Sequence, residues 1–345
     1  MARIKKIRSK RKSMGGGTDF LLHLYRSMVR IRLCEESLVV PIQKGDIKTP
    51  CHLCSGQEAV AVGVCAALTE KDMVFGGHRS HGHYLAKGGG LNELVAEIYG
   101  KSGGCSRGRG GSMHLISSAI GMAGAVPIVA GTISLATGAA MAAKIRGNKD
   151  VVASFFGDGA TGEGVLYESL NLAALLRLPV LFVCENNHYS THMPLSECRS
   201  KDNIVQTGIP FGVRSVRLDG NDVVAVFREA QKAVALCRAG KGPVFFECVT
   251  YRLRGHVGPD DMVQGAHTDI RPPAEVERWK RKDPLLLFEK KLREKGVSRA
   301  VIQEIQKAAQ TEVSQAHEFA RNSPLPPPEE LTQGVFCETE VSCPR

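Results

Sequence analysis

Apolar positions recur along this chain at two periods, and the change of period marks its elements. Residues 20–32 place Leu21, Leu22, Leu24, Met28 and Val29 at three-four spacing with arginines opposite, which predicts an amphipathic helix. Residues 59–68 and 91–99 read as further helices, and the small residues that dominate 124–144 suit a helix packed closely on a sheet. The run Val151-Val152-Ala153-Ser154-Phe155-Phe156 is β-branched and aromatic, of strand length, and predicts a buried parallel strand. A glycine loop over 157–164, a helix over 165–176 and a second apolar run over 179–184 follow it. Together they make a strand–loop–helix–strand unit, right-handed by rule, with its loops at the carboxyl ends of the strands. A third apolar run occupies 243–249. Near the end, Ile302, Ile305, Ala309, Val313, Ala316 and Ala320 keep three-four spacing until a proline-rich stop from Ser323 to Pro328. There are no internal repeats. The pattern predicts one α/β domain over 18–335 with a helical C-terminal extension, between a basic tail at 1–17 and a short tail at 336–345.

Composition narrows the class. A chain of 345 residues with 43% hydrophobic content can bury a sizeable core. No apolar run approaches the ~18 residues of a membrane span, so no membrane partner is expected. The 11 cysteines are odd in number and scattered through apolar stretches, which argues against a disulfide framework and for a reducing compartment, the cytoplasm. Of the formal net charge of +10, Arg3, Lys5, Lys6, Arg8, Lys10, Arg11 and Lys12 supply seven, and the rest of the chain has an ordinary balance. That run, ending in Met14-Gly15-Gly16-Gly17, reads as a solvated tail rather than a nucleic-acid-binding surface, and it lacks the apolar stretch of a secretory signal.

The candidate chemistry centres on the glycine loop. Gly157, Gly159 and Gly162 spell G-x-G-x-x-G between a strand and a helix, the dinucleotide fingerprint, and Glu185 lies where a ribose-binding acid would be expected. An NAD-binding dehydrogenase of the Rossmann type is therefore the alternative reading. Asp158 argues against it. A carboxylate between the first two glycines would repel a pyrophosphate at close range unless a cation lay between them. The next strand ends in Glu185-Asn186-Asn187-His188-Tyr189, so Asp158 and Asn187 leave adjacent parallel strands at the same edge. A carboxylate oxygen, an amide oxygen, a loop carbonyl and phosphate oxygens make the oxygen shell that magnesium prefers.

GDGA at 157–160 followed by ENN at 185–187 resembles the thiamin diphosphate signature. From about Asp19 to Phe336 the chain resembles the alpha subunits of the 2-oxo acid dehydrogenases of pyruvate, branched-chain and acetoin types. The resemblance rests on CHLCSGQEAV from Cys51, HRSHGHYLAKG from His78, GGSMH at 110–114, TYRLRGH at 250–256, DPLLLFEKKL from Asp283 and SPLPPPEEL from Ser323. It implies a thiamin diphosphate-binding fold. It also implies magnesium held by Asp158, Asn187 and the carbonyl of Tyr189, with the Gly159 and Ala160 amides and Arg79 on the diphosphate and His78 beside it. Gly121 and Ala123 match the segment that meets the aminopyrimidine, although IGMAGAVP is one residue shorter than the family pattern. His256, on the loop over the cofactor, would contact the cofactor and face the substrate, and His52 and His81 are further active-site candidates, whereas His83, His114 and His188 read as packing or loop residues.

The resemblance further implies decarboxylation of a 2-oxo acid, or cleavage of acetoin, with acyl transfer to a lipoyl acyltransferase core. The glutamate that activates the cofactor belongs in this family to a separate beta subunit, which implies an α2β2 heterotetramer. Val257 stands where mammalian relatives carry a phosphorylated serine, so no such switch is expected at that position.

Overall fold

Alternation along the strands divides the interior into two halves. In the strand Val152–Gly157 (β3), Val152 and Phe156 face one core cluster while Ala153 and Phe155 face the other. In Val180–Asn186 (β4), Val180, Phe182 and Cys184 point to the first cluster, and Leu181 and Val183 to the second. Strands buried on both faces need helices on both faces. In the computed structural model, which describes residues 17–259 and 271–333, they have them. Residues 1–16 and 334–345, which include all of the expected basic tail at 1–17 but Gly17 and the whole of the short tail at 336–345, lie outside the described residues.

The sheet is parallel throughout and has six strands in the order β2-β1-β3-β4-β8-β7. The strands not yet bounded are Met73–Gly76 (β1), Met122–Ala125 (β2), Arg214–Asp219 (β7) and Val244–Val249 (β8). A small hairpin, Tyr189–Ser190 (β5) with Met193–Pro194 (β6), follows β4. Three of the six sheet strands correspond to the apolar runs read from sequence. The other three carry weaker signals: β1 is four residues long, β2 is Met-Ala-Gly-Ala, and β7 is Arg-Ser-Val-Arg-Leu-Asp on the sheet edge. Three of the helices begin and end within a few residues of the predicted limits, Glu58–Ala67 (α3), Leu91–Ile98 (α5) and Gly164–Leu175 (α7). The first, Thr18–Ser37 (α1), runs a turn further, and the small-residue stretch splits into β2 and the helix Gly131–Ile145 (α6).

Helix α3 and the helix Val223–Arg238 (α9) cover one face, and α6 with Gly164–Leu175 (α7) cover the other. The extension adds Pro284–Glu294 (α11) and Arg299–Asn322 (α12), which pack on α1 and α5. Asp283 caps α11 by accepting from the Leu285 amide, and its carboxylate also meets Arg32, which reaches Glu58 as well.

His317 of α12 is buried among α1 and α5. Ser37 Oγ donates to the Cys34 carbonyl, so it accepts from His317 Nε2 at 2.8 Å, and His317 Nδ1 accepts from Tyr99 at 3.0 Å. Burial lowers the His317 pKa to about 4, so the neutral ring belongs to the folded state. This stabilisation is complete above the ordinary histidine range near 6.5 and is lost as pH falls towards 4. The thermal midpoint of wild type should therefore drop more steeply between those limits than that of His317→Gln, measured by circular dichroism melts.

Candidate active site

Because β3 and β4 are parallel and in register, with Gly157 opposite Glu185, the residues that follow them emerge side by side. Asp158 opens a short 3-10 turn, Asp158–Gly162, in which Thr161 Oγ1 donates to the Asp158 carbonyl at 2.6 Å. The close approach of Ser190 to this turn leaves no room for a side chain at Gly159. Across from it, β4 leaves the sheet through His188, whose φ of 69° is in the left-handed region that costs a non-glycine residue roughly 1 kcal/mol. Thr191, with a φ of 58°, repeats the strain in the β5–β6 turn. That geometry lets the Tyr189 amide donate to Asn187 Oδ1 at 3.2 Å, and Asn187 Nδ2 donates to Gln57 Oε1 at 3.3 Å.

Asp158 is 2% exposed, and its Oδ2 has no hydrogen-bond partner. Burial raises its pKa to about 6, offset in part by its own amide and that of Asn187. A buried carboxylate oxygen with nothing to accept from is an arrangement that a cation satisfies. Among the described residues no cluster of three His, Cys, Asp or Glu side chains could hold a metal, so the donor set here is one carboxylate with amide and carbonyl oxygens. Such hard oxygen donors suit magnesium and not zinc. The residues fit the expected ion.

These groups line a cleft of about 180 Å³ with Gln57, His78, Arg79, residues 127–130, Glu185, Tyr189 and His256. The Arg79 guanidinium is buried, donates to the Leu53 carbonyl at 2.9 Å, and donates to both the carbonyl and Nδ1 of His256 at 2.9 and 3.0 Å. Burial first, then the neighbouring Arg252, disfavours its positive charge, which an anion in the cleft would relieve. Since arginine only donates, His256 Nδ1 must accept, and its proton sits on Nε2. Desolvation, then Arg79, pushes the His256 pKa down to about 2, and His52 falls to about 3 for the same reasons. His78 is lowered too. The three rings form one neutral cluster, with centroids 4.8 Å apart for His52 and His78 and 5.0 Å for His52 and His256.

Three expected site residues lie elsewhere. His81 is fully buried away from the cleft, its Nδ1 2.5 Å from Glu35 and its Nε2 2.8 Å from Ser112 Oγ, so both ring nitrogens are committed to packing. Gly121 and Ala123 sit at the start of β2, beside Asp72 at the opposite edge of the sheet, and residues 127–130 line the cleft instead. His83 stacks on Phe155 and contacts Glu185 at 3.2 Å, so the carboxylate expected for a ribose is engaged by a histidine. Gln57, which orients Asn187, was not singled out in the sequence, though it stands inside the CHLCSGQEAV segment.

The family of dehydrogenase E1 components matches residues 26–329. The chain belongs to this family. It is 37% identical over 331 residues to the alpha subunit of acetoin:2,6-dichlorophenolindophenol oxidoreductase of Bacillus subtilis, covering 96% of this chain and 98% of that one. It is 39% identical over 334 residues to the pyruvate dehydrogenase E1 component alpha subunit of Rhizobium meliloti, 94% of each chain. The mitochondrial somatic form from Bos taurus is 35% identical over 321 residues, 92% of this chain and 79% of that one. The protein is thus an oxidoreductase alpha subunit of the thiamin diphosphate-using E1 dehydrogenases, and the dinucleotide alternative has no support. No helix among the described residues is long and apolar enough to cross a membrane.

Proposed function

We propose that the chain, with a beta subunit, forms a magnesium- and thiamin diphosphate-dependent enzyme that decarboxylates a 2-oxo acid, pyruvate foremost, or cleaves acetoin. The observation that carries this reading is the unpartnered, buried Asp158 Oδ2 beside Asn187 at the carboxyl edge of the sheet. Asp158, Asn187 and the Tyr189 carbonyl would hold magnesium, and Arg79 with the Gly159 and Ala160 amides would meet the diphosphate. When bound, the cofactor supplies a nucleophilic carbon and an electron sink. This chain supplies position and proton control. Neutral His256 presents an Nε2 donor to the substrate side, Arg79 fixes its tautomer, and His52 and His78 wall it from water.

The acyl group would pass to a lipoyl group on an acyltransferase core. Ile128, Leu135 and Ile145 are 71%, 56% and 74% exposed from the cleft edge along α6, an apolar face of the kind that a partner subunit covers. It supports an α2β2 assembly. The free thiols of buried Cys34, Cys54, Cys184, Cys237 and Cys248 suit the cytoplasm.

Reconstitution with the beta subunit tests the reading. Reduction of an artificial electron acceptor should require magnesium and thiamin diphosphate together, with pyruvate, a branched-chain 2-oxo acid or acetoin as donor. Turnover with none of the three, or tight metal-free binding of NADH, would overturn it.

A further inference from the structure

The helix Pro273–Lys280 (α10) contains no buried residue, so packing into the core does not hold it in place. Its partly buried positions, Glu275, Val276 and Trp279, fall on one face, and what Glu275 and Trp279 meet is specific. The Glu275 carboxylate accepts from two tyrosines, Tyr189 at 3.2 Å and Tyr251 at 2.8 Å. Trp279 stacks on Tyr251 with centroids 5.1 Å apart and planes 3° from parallel, and lies 5.5 Å from the His188 ring. Arg271, just before the helix, donates to the Arg252 and Arg254 carbonyls and stands 5.0 Å over the Tyr251 ring. Tyr189 and His188 belong to the turn after β4 that presents the expected metal ligands. Tyr251, Arg252 and Arg254 belong to the segment that runs from β8 to His256.

We infer that Glu275 and Trp279 are positioning residues, which lock the metal-ligand turn to the His256 segment and make the docking of α10 depend on magnesium and thiamin diphosphate. The inference rests on the cofactor reading above. Its logic is geometric. One carboxylate with two hydroxyl donors can hold both only when the β4 exit and the β8 exit stand at a fixed separation. The left-handed residue at 188 makes the β4 exit strained, so it needs a support from outside the sheet. A cation drawn to the Tyr189 carbonyl would fix the same turn, and two constraints on one turn reinforce each other. A helix without buried anchors is the element whose docking such a constraint can shift.

Trp279 is the one tryptophan of the chain, which makes the clamp directly observable. The full chain would be labelled with 5-fluorotryptophan and assembled with unlabelled beta subunit, giving one fluorine resonance from this subunit. Adding magnesium and thiamin diphosphate should shift and sharpen that resonance in wild type. In Glu275→Gln the shift should be lost or reduced, and the half-saturating cofactor concentration should rise about tenfold, the usual scale for an outer-shell partner, with kcat at saturation changed much less. Trp279→Phe, followed by cofactor titration alone, should show a smaller rise, because stacking is kept. If Glu275→Gln responds like wild type in both resonance and half-saturation, the clamp is wrong. If wild type itself binds no cofactor by equilibrium dialysis, the functional reading fails instead. If wild type binds cofactor normally but the resonance does not move, only the clamp is overturned.

Discussion

Asp158→Ala should abolish magnesium-dependent binding of thiamin diphosphate and, with it, all turnover of the assembled enzyme. The carboxylate is the only charged group that this chain contributes to the proposed ligand set, so its loss leaves only neutral protein oxygens for a divalent ion in a site already crowded with Arg79 and Arg252. Isothermal titration with magnesium and cofactor should show no heat of binding, against a clear isotherm for wild type. The same residue makes a second, opposite prediction for the metal-free chain. Its pKa moves from 3.8 to about 6 on folding because burial disfavours the charged form. A carboxyl raised in the fold destabilises it at pH values above that range, and the penalty vanishes as pH falls below the unfolded value. A change of this size corresponds to about 3 kcal/mol. Asp158→Asn, similar in shape and without the charge, should therefore raise the thermal midpoint at neutral pH without metal while failing to bind cofactor. A variant that lost binding because it was misfolded would melt lower, not higher, so the two readouts separate function from folding.

The parts of this site that sequence revealed are those set by strand topology. Once the run ending at Phe156 and the run ending at Cys184 are read as adjacent parallel strands, Asp158 and Asn187 must leave the sheet together, and the register of Gly157 opposite Glu185 shows that they do. Asp158 also disclosed itself by conflict, as a charge in a loop otherwise shaped for phosphate. Other parts depend on side chains that meet from distant positions. Gln57 touches Asn187 across 130 residues, and Glu275 touches Tyr189 across 86, with no local period to mark either. The histidines illustrate the same limit. His78, His81 and His83 stand within one short segment, yet His78 lies in the turn before the helix 81–87 and faces the cleft, while on that helix His81 enters a Glu35–Ser112 pair and His83 meets Phe155 and Glu185 at the cleft wall. Residue type alone could not sort them. The edge strand β7 was missed because half-exposed polar residues give no apolar run, and β2 because Met-Ala-Gly-Ala has neither branching nor alternation.

His256→Ala should lower kcat of the reconstituted enzyme by roughly 10²–10³-fold, the usual range for losing a positioned hydrogen-bond donor to developing charge, with little change in cofactor half-saturation. The split follows from where its two nitrogens point. Nδ1 is taken by Arg79, at 3.0 Å, so the ring's remaining donor is Nε2, on a ring that lines the cleft and is not part of the proposed metal-ligand set. Desolvation and the adjacent guanidinium hold the pKa near 2, so His256 stays neutral and donor-competent across the working range. The pH profile of kcat should accordingly show no limb that disappears in His256→Gln, whose amide retains a donor without a titrating group. Arg79→Lys should behave differently. An ammonium cannot reach the Leu53 carbonyl, the His256 carbonyl and Nδ1 together with the planar fork of a guanidinium. Half-saturation and kcat should both worsen, because one side chain would serve the proposed diphosphate site and the histidine at once. Equal kinetic parameters for Arg79→Lys and wild type would show that the tautomer of His256 is set by something other than this contact.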